Sequence, residues 1–177
     1  MVDHLTSARA EHEIAYGKKL AEGDPDLIWG WGTPAGRLRA RRRSELIANG
    51  DGLREGVRAL EIGCGTGTFT RMLAETGSQL VAMDVSPDLI EKAQARGLPP
   101  DQVKFMVKRF EGPDSAGPFD AVIGSSVLHH LNIEDAPTKI YALLKPGGLR
   151  DSPSCRSLQA CHAFVVAAPS QIDEATC

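Results

Sequence analysis

Glu61 and Asp84 each stand at the end of an apolar run, and Gly63, Gly65 and Gly67 follow the first acid at alternate positions. Glycines so placed let the backbone turn sharply and press against a ligand. Residues 68–75 then open a helix whose first N–H groups and positive dipole end attract an anion; an ordinary strand-to-helix turn is the plainer alternative. If both apolar runs are parallel strands joined by a right-handed crossover, Asp84 comes beside the glycine turn, where a carboxylate can accept both hydroxyls of a ribose. His129 and His130 follow a later apolar run and titrate in the working range of pH. Neighbours in a helical turn point apart, so at most one of them faces the site, and the alternative for each is a helix cap or pocket wall. Arg37, Arg39, Arg41, Arg42 and Arg43 put five cations into seven positions. One helical face cannot hold them all, so most are solvated, the alternative being a grip on a phosphate or an acidic acceptor.

Spacing separates the ligand classes. A dinucleotide fold needs Gly-x-Gly-x-x-Gly or Ala, but counting six places from Gly63 ends on Thr68 and from Gly65 on Thr70. Residues 61–67 read Glu-x-Gly-x-Gly-x-Gly instead, which resembles the first motif of the class I S-adenosylmethionine-dependent methyltransferases. AMDVSPDLIEKAQAR over 82–96 is similar to the second motif of that family, FDAVIGSSVLHHL over 119–131 to the fourth motif of its small-molecule branch, and LLKPGG over 143–148 to its late turn.

The resemblance covers residues 57–148 and implies S-adenosylmethionine as cofactor, with S-adenosylhomocysteine as product. The implied reaction is methyl transfer to a small-molecule or lipid-like acceptor by in-line displacement. Gly63, Cys64, Gly65 and Gly67 would approach the methionine part and Glu61 its amino group, directly or through water. Asp84 would hold the ribose, Val85 would pack on the adenine face, and Ser125 and Ser126 would line the methionine end. Where relatives carry an acid for the adenine amino group this chain has Arg109, and the backbone of Phe110 or the carboxylate of Glu111 would substitute. The competing reading is a domain that binds the cofactor or its product without turnover, as a truncated or partner subunit. A nucleic-acid acceptor is a weaker expectation, because Gly124-Ser125-Ser126-Val127 stands where an amine-methylating Asn-Pro-Pro-Tyr motif would be.

These residues need a frame to hold them. Strands over 57–62, 79–83, 103–107 and 119–124 alternate with helices over 68–75, 86–96 and 134–144, which predicts an α/β fold: a Rossmann-like, doubly wound, mostly parallel sheet with helices on both faces. Before it come helices over 4–22 and 34–49, parted by the breaker Gly23-Asp24-Pro25 and a stretch over 27–36 that holds both tryptophans. Trp29 and Trp31 either pin that stretch to the core or lay flat surfaces over a ligand. The division is 1–52 as helical cap and linker, 53–150 as the nucleoside-binding domain and 151–177 as an atypical tail.

In the tail, 163–168 (AFVVAA) is the one candidate strand, so the C-terminal part of the sheet is expected to be incomplete. Three accounts compete: a diverged, shortened finish, a frame change or alternative splice, and completion by another subunit. The last two are favoured because an uncovered sheet edge invites pairing, hence an expected homo-oligomer.

At 177 residues the chain holds about one domain with a sizeable core. Forty-two per cent apolar residues and a net charge of −3 fit a soluble globular protein and exclude a disordered or nucleic-acid-coating one. Four cysteines without a C-x-x-C pair argue against a metal site. Neither a membrane-length apolar run nor a leader-like start is present, so reduced thiols and a cytoplasmic location are expected.

Overall fold

The computed structural model describes residues 2–50, 52–110, 117–125, 127, 131–132, 134–146 and 163–167. Helices α1 (Val2–Ala21), α2 (Pro25–Ile28) and α3 (Pro34–Gly50) precede β1 (Arg58–Ile62). The chain then alternates through α4 (Thr68–Ala74), β2 (Gln79–Asp84), α5 (Pro87–Gln94), β3 (Val103–Val107), β4 (Ala121–Ser125), α6 (Ala136–Leu143) and β5 (Ala163–Ala167).

The strands lie in the order β3-β2-β1-β4-β5. β1 pairs in parallel with β2 and β4, β2 pairs in parallel with β3, and β5 runs antiparallel along β4. Central parallel strands are covered on both faces and read as unbroken apolar runs, and Ala59, Leu60, Glu61 and Ile62 of β1 are all buried. On one face Phe69, Met72 and Leu73 of α4 pack with Ala40 and Ile47 of α3 against Ala59, Leu80 and Ile123. Ala136 and Ile140 of α6 close the other face over Leu60, Ile62, Val81, Met83 and Val122. The doubly wound arrangement is therefore the one expected from the alternating pattern.

Register sets the site. Ile62 stands opposite Met83 on one side and Gly124 on the other, so the carboxyl ends of three strands are level. The chain leaves β1 toward β2 and β3, then returns to the far side of β1 as β4. Ligands of open α/β sheets bind at such a switch point, beyond the carboxyl ends. At the opposite edge, buried Asp120 accepts from the Arg58 amide at 2.9 Å and from Lys145 Nζ at 2.6 Å, tying the starts of β1 and β4 to the turn after α6.

One element differs from expectation and one gains a direction. α2 forms in the stretch read as breaker and loop, because Asp24 caps it, accepting from the amides of Asp26 and Leu27, and Pro25 supplies a preset first position. Residues 163–167 do add a strand, but antiparallel to β4. Among the described residues no helix is long and apolar enough to cross a membrane.

Candidate functional site

Glu61 lies within β1, 3% exposed, and its Oε2 accepts from Thr70 Oγ1 of α4 at 2.6 Å. Burial pushes the Glu61 carboxyl up to about 7, the charge of Asp84 adds to the rise, and the Thr70 hydroxyl opposes it. Among the described residues Thr70 is its only hydrogen-bond partner, so Oε1 keeps its full accepting capacity. A buried carboxyl with one idle oxygen at the carboxyl end of a central strand suits a cationic donor such as an ammonium.

The glycine turn wraps the end of β2. The amides of Gly63 and Cys64 both donate to the Met83 carbonyl, at 2.8 and 3.0 Å. The Gly65 amide donates to Asp84 Oδ2 and the Ser86 amide to Asp84 Oδ1, each at 2.9 Å. Asp84 is thus oriented by both oxygens, and each retains a lone pair for a hydroxyl donor. Burial raises its pKa, the amides of Ser86, Gly65 and Val85 oppose that rise, and Glu13 of α1 adds to it. Two of the glycines are sterically required. Gly63 has φ 69° and a Cβ there would stand 2.6 Å from Val127 Cγ2; Gly65 has φ 54° and faces the Trp29 ring.

A carboxylate of the chain itself stands beside the start of α4. Asp26 of α2 accepts from Thr66 Oγ1 at 2.7 Å and Thr68 Oγ1 at 2.8 Å, beside the Gly67 N-cap. Of the cysteines, Cys64 packs its side chain in the core with Ala82 and Ile90, its thiol donating to the Gly65 carbonyl at 3.9 Å, and burial drives that thiol well above its usual range. Val85 is half-buried directly after Asp84, and the Phe110 ring sits in the core under α6. The positions of Ser126, Glu111, His129 and His130 lie outside the described residues.

Ser125 ends β4, and its Oγ accepts from Arg43 Nη1 at 3.2 Å. Arg37, Arg39, Arg41 and Arg42 are exposed, as a solvated face requires, but Arg43 turns inward. Its guanidinium lies 5.2 Å from the Trp31 ring centre and 5.9 Å from that of Phe69. Trp31 in turn meets Phe69 edge-on at 5.3 Å, so this tryptophan pins the segment to the core while Trp29 covers the glycine turn. Arg43 was hidden among its neighbours. The available signal was helical spacing, since it stands three residues after buried Ala40 and four before buried Ile47.

A family model described as a methyltransferase domain matches residues 60–149, just over half of the 177-residue chain. The chain belongs to this methyltransferase-domain family. The matched methyltransferase domain holds Glu61, the glycine turn, Asp84 and Ser125 together. Ubiquinone biosynthesis O-methyltransferase of Xanthomonas oryzae pv. oryzae (strain PXO99A) is 37% identical over 97 residues, 52% of this chain and 41% of the relative. The enzyme of the same name from Xylella fastidiosa (strain 9a5c) is 36% identical over 118 residues, 64% of this chain and 48% of the relative. The match thus spans less than half the length of these curated relatives. Among solved structures, N-methyltransferase NodS from Bradyrhizobium japonicum WM9, in complex with S-adenosyl-L-homocysteine, superposes with TM-score 0.62 at 23% identity, covering 81% of this chain and 76% of that one, a likeness of fold. The [4+2]-cyclase SpnF superposes with TM-score 0.53 at 31% identity, covering 60% of this chain and 42% of that one.

Proposed function

We propose that this chain is an S-adenosylmethionine-dependent methyltransferase acting on a small-molecule or lipid-like acceptor. The observation that carries the reading is the meeting of Glu61 and Asp84 around one glycine turn, with a buried carboxyl oxygen of Glu61 idle and Asp84 pre-oriented by the Gly65 and Ser86 amides. Glu61 would take the ligand's ammonium, Asp84 its ribose hydroxyls and Val85 its adenine face. Gly63, Cys64, Gly65 and Gly67 would offer backbone alone. Arg43, reaching Ser125 from α3, would supply the cation for the carboxylate end. When bound, S-adenosylmethionine supplies an electrophilic methyl on a sulfonium. The chain's own part is to align and to exclude water, and positioning of this kind lowers a barrier by about 7–11 kcal/mol. His129 or His130 would accept the acceptor's proton where the acceptor is a hydroxyl. The O-methyltransferase names of the curated relatives favour a hydroxyl acceptor.

Calorimetric titration of S-adenosylmethionine into the wild type and Asp84→Ala tests the binding step, and release of S-adenosylhomocysteine across a panel of phenolic acceptors tests turnover. Binding that is lost in Asp84→Ala and turnover with a phenol are expected. Equal affinity in both proteins would overturn the site. A second reading, nucleoside binding without methyl transfer, is favoured by the likeness to a protein named as a cyclase. It predicts tight binding with no acceptor in the panel methylated.

A further inference from the structure

The short helix α2 is bound to the glycine turn by more polar contacts than its length would suggest. Asp26 and Trp29 are three residues apart on one face, while Leu27 and Ile28 on the outer side are exposed. Asp26 Oδ1 accepts from Thr66 Oγ1 and Thr68 Oγ1 at 2.7 and 2.8 Å, and Oδ2 accepts from Thr68 Oγ1 at 2.9 Å and Arg96 Nη2 at 2.6 Å. Arg96, just beyond α5, also donates through Nε to the Thr66 carbonyl and through Nη2 to Thr68 Oγ1 at 2.8 Å. Although burial opposes it, hydrogen bonds from Thr66, Arg96 and Thr68 hold Asp26 below the usual carboxylate range. One half-buried ion pair therefore joins three separate stretches: α2, the turn after β1 and the end of α5.

One helical turn beyond Asp26, Trp29 puts Cη2 and Cζ3 at 3.3 and 3.4 Å from where a Gly65 Cβ would stand. Gly65 is the residue whose amide orients Asp84. The ring thus covers the joint between the glycine turn and the acid. From the other side α1 closes on Ser86, the cap of α5, with a Cβ at Gly17 only 2.3 Å from Ser86 Oγ.

We infer that Asp26 and Arg96 are positioning residues for the donor nucleoside: they clamp α2 onto the glycine turn, fix Trp29 as the cover of the cradle and so set how long the ligand stays. This rests on the cradle's being the S-adenosylmethionine site. Neither residue touches the carboxyls of Glu61 or Asp84 in the contacts above; both act through Thr66, Thr68 and Trp29.

The test uses the full chain with Trp31→Phe as background, which leaves Trp29 as the one tryptophan, since the chain has two. Stopped-flow tryptophan fluorescence then reads S-adenosylhomocysteine dissociation in Asp26→Asn, Arg96→Met and the double variant. Each single change should speed dissociation about tenfold, the loss of one charged hydrogen bond. The double variant should be no faster than the faster single, because both act through one node. Unchanged dissociation in both singles beside a lowered melting temperature would make the node merely structural and overturn the proposal, as would fully additive rates. Hydrogen exchange on the ligand-free chain separates this failure from failure of the site reading. Asp26→Asn should speed exchange of residues 25–30 and 63–68 together, and a turn exchanging at the wild-type rate overturns the clamp whatever the ligand. A wild type that fails to bind S-adenosylhomocysteine overturns the cradle reading, and the residence claim with it.

Discussion

Glu61→Gln should leave the ligand-free protein more stable at pH 8 and much less able to bind S-adenosylmethionine. Burial has pushed this carboxyl from 4.5 up to about 7. Below 4.5 folded and unfolded chains both hold the proton and the group contributes nothing to pH dependence. Between 4.5 and 7 the unfolded chain gives its proton up first, so stability falls as pH rises; above 7 both are ionised and the penalty is constant. That interval at 1.36 kcal/mol per unit amounts to about 3 kcal/mol. Glutamine still accepts from Thr70 but carries no charge, so it should recover about 1–3 kcal/mol at pH 8, or about 2–4 °C in Tm per kcal/mol for a chain of this size. Melting curves of both proteins from pH 5 to 8.5 isolate the effect as a difference curve, which removes the same-signed contribution of Asp84. Calorimetry should show affinity down about 10- to 100-fold, the loss of a charged hydrogen bond. At pH 6 it should also show proton release from the wild type alone, since an ammonium selects the ionised carboxylate. Parallel melting curves, or a glutamine variant less stable at pH 8, would refute the reasoning.

Gly17→Ala would ordinarily favour a helix by about 1 kcal/mol, but here the methyl meets Ser86 Oγ at 2.3 Å; overpacking should reverse the sign, lowering stability by about 1–3 kcal/mol in thermal melts. Thr70→Val removes the only hydroxyl on Glu61 among the described residues, so stability should drop by about 1–3 kcal/mol and the fall with pH, still beginning at the unfolded carboxyl's pKa, should extend to higher pH, read in the same melts. Arg43→Met should weaken S-adenosylmethionine binding about tenfold or more by calorimetry, and Arg43→Lys should rescue it poorly because a lysine cannot stack on Trp31 as a guanidinium does. Lys145→Met leaves buried Asp120 with the Arg58 amide as its remaining donor among the contacts described, which should cost about 1–3 kcal/mol in denaturant unfolding.

The sheet was legible because its signals are local. Buried parallel strands announce themselves as apolar runs, and Ser86-Pro87 writes the start of α5 in two letters, the serine accepting from the Leu89 amide at 3.3 Å. The pairing of Asp84 with the glycine turn followed from crossover handedness alone, and the 2.9 Å bond to the Gly65 amide is its outcome. What escaped depends on partners distant in sequence. Asp26 carries no local signal until α2 meets Thr66 and Thr68, and Arg43 reads as one of five cations until α3 is laid against Phe69 and Ser125. The direction of β5 was equally hidden, since an apolar run of five carries no sign of whether it runs with β4 or against it.

The same division explains how the two acids of the site differ. Asp84 is satisfied by backbone amides that any sequence folding this turn would supply, so its orientation is a by-product of the fold. Among the described residues Glu61 is satisfied by a single side chain, Thr70, and its burial carries a cost. An apolar residue in its place would pack between its register partners Ala82 of β2 and Ile123 of β4, both buried, without that penalty. On the proposed cofactor site an arriving ammonium would complete the hydrogen bonds of that carboxyl, and of the two acids it is therefore Glu61 whose replacement should divide stability from binding most cleanly.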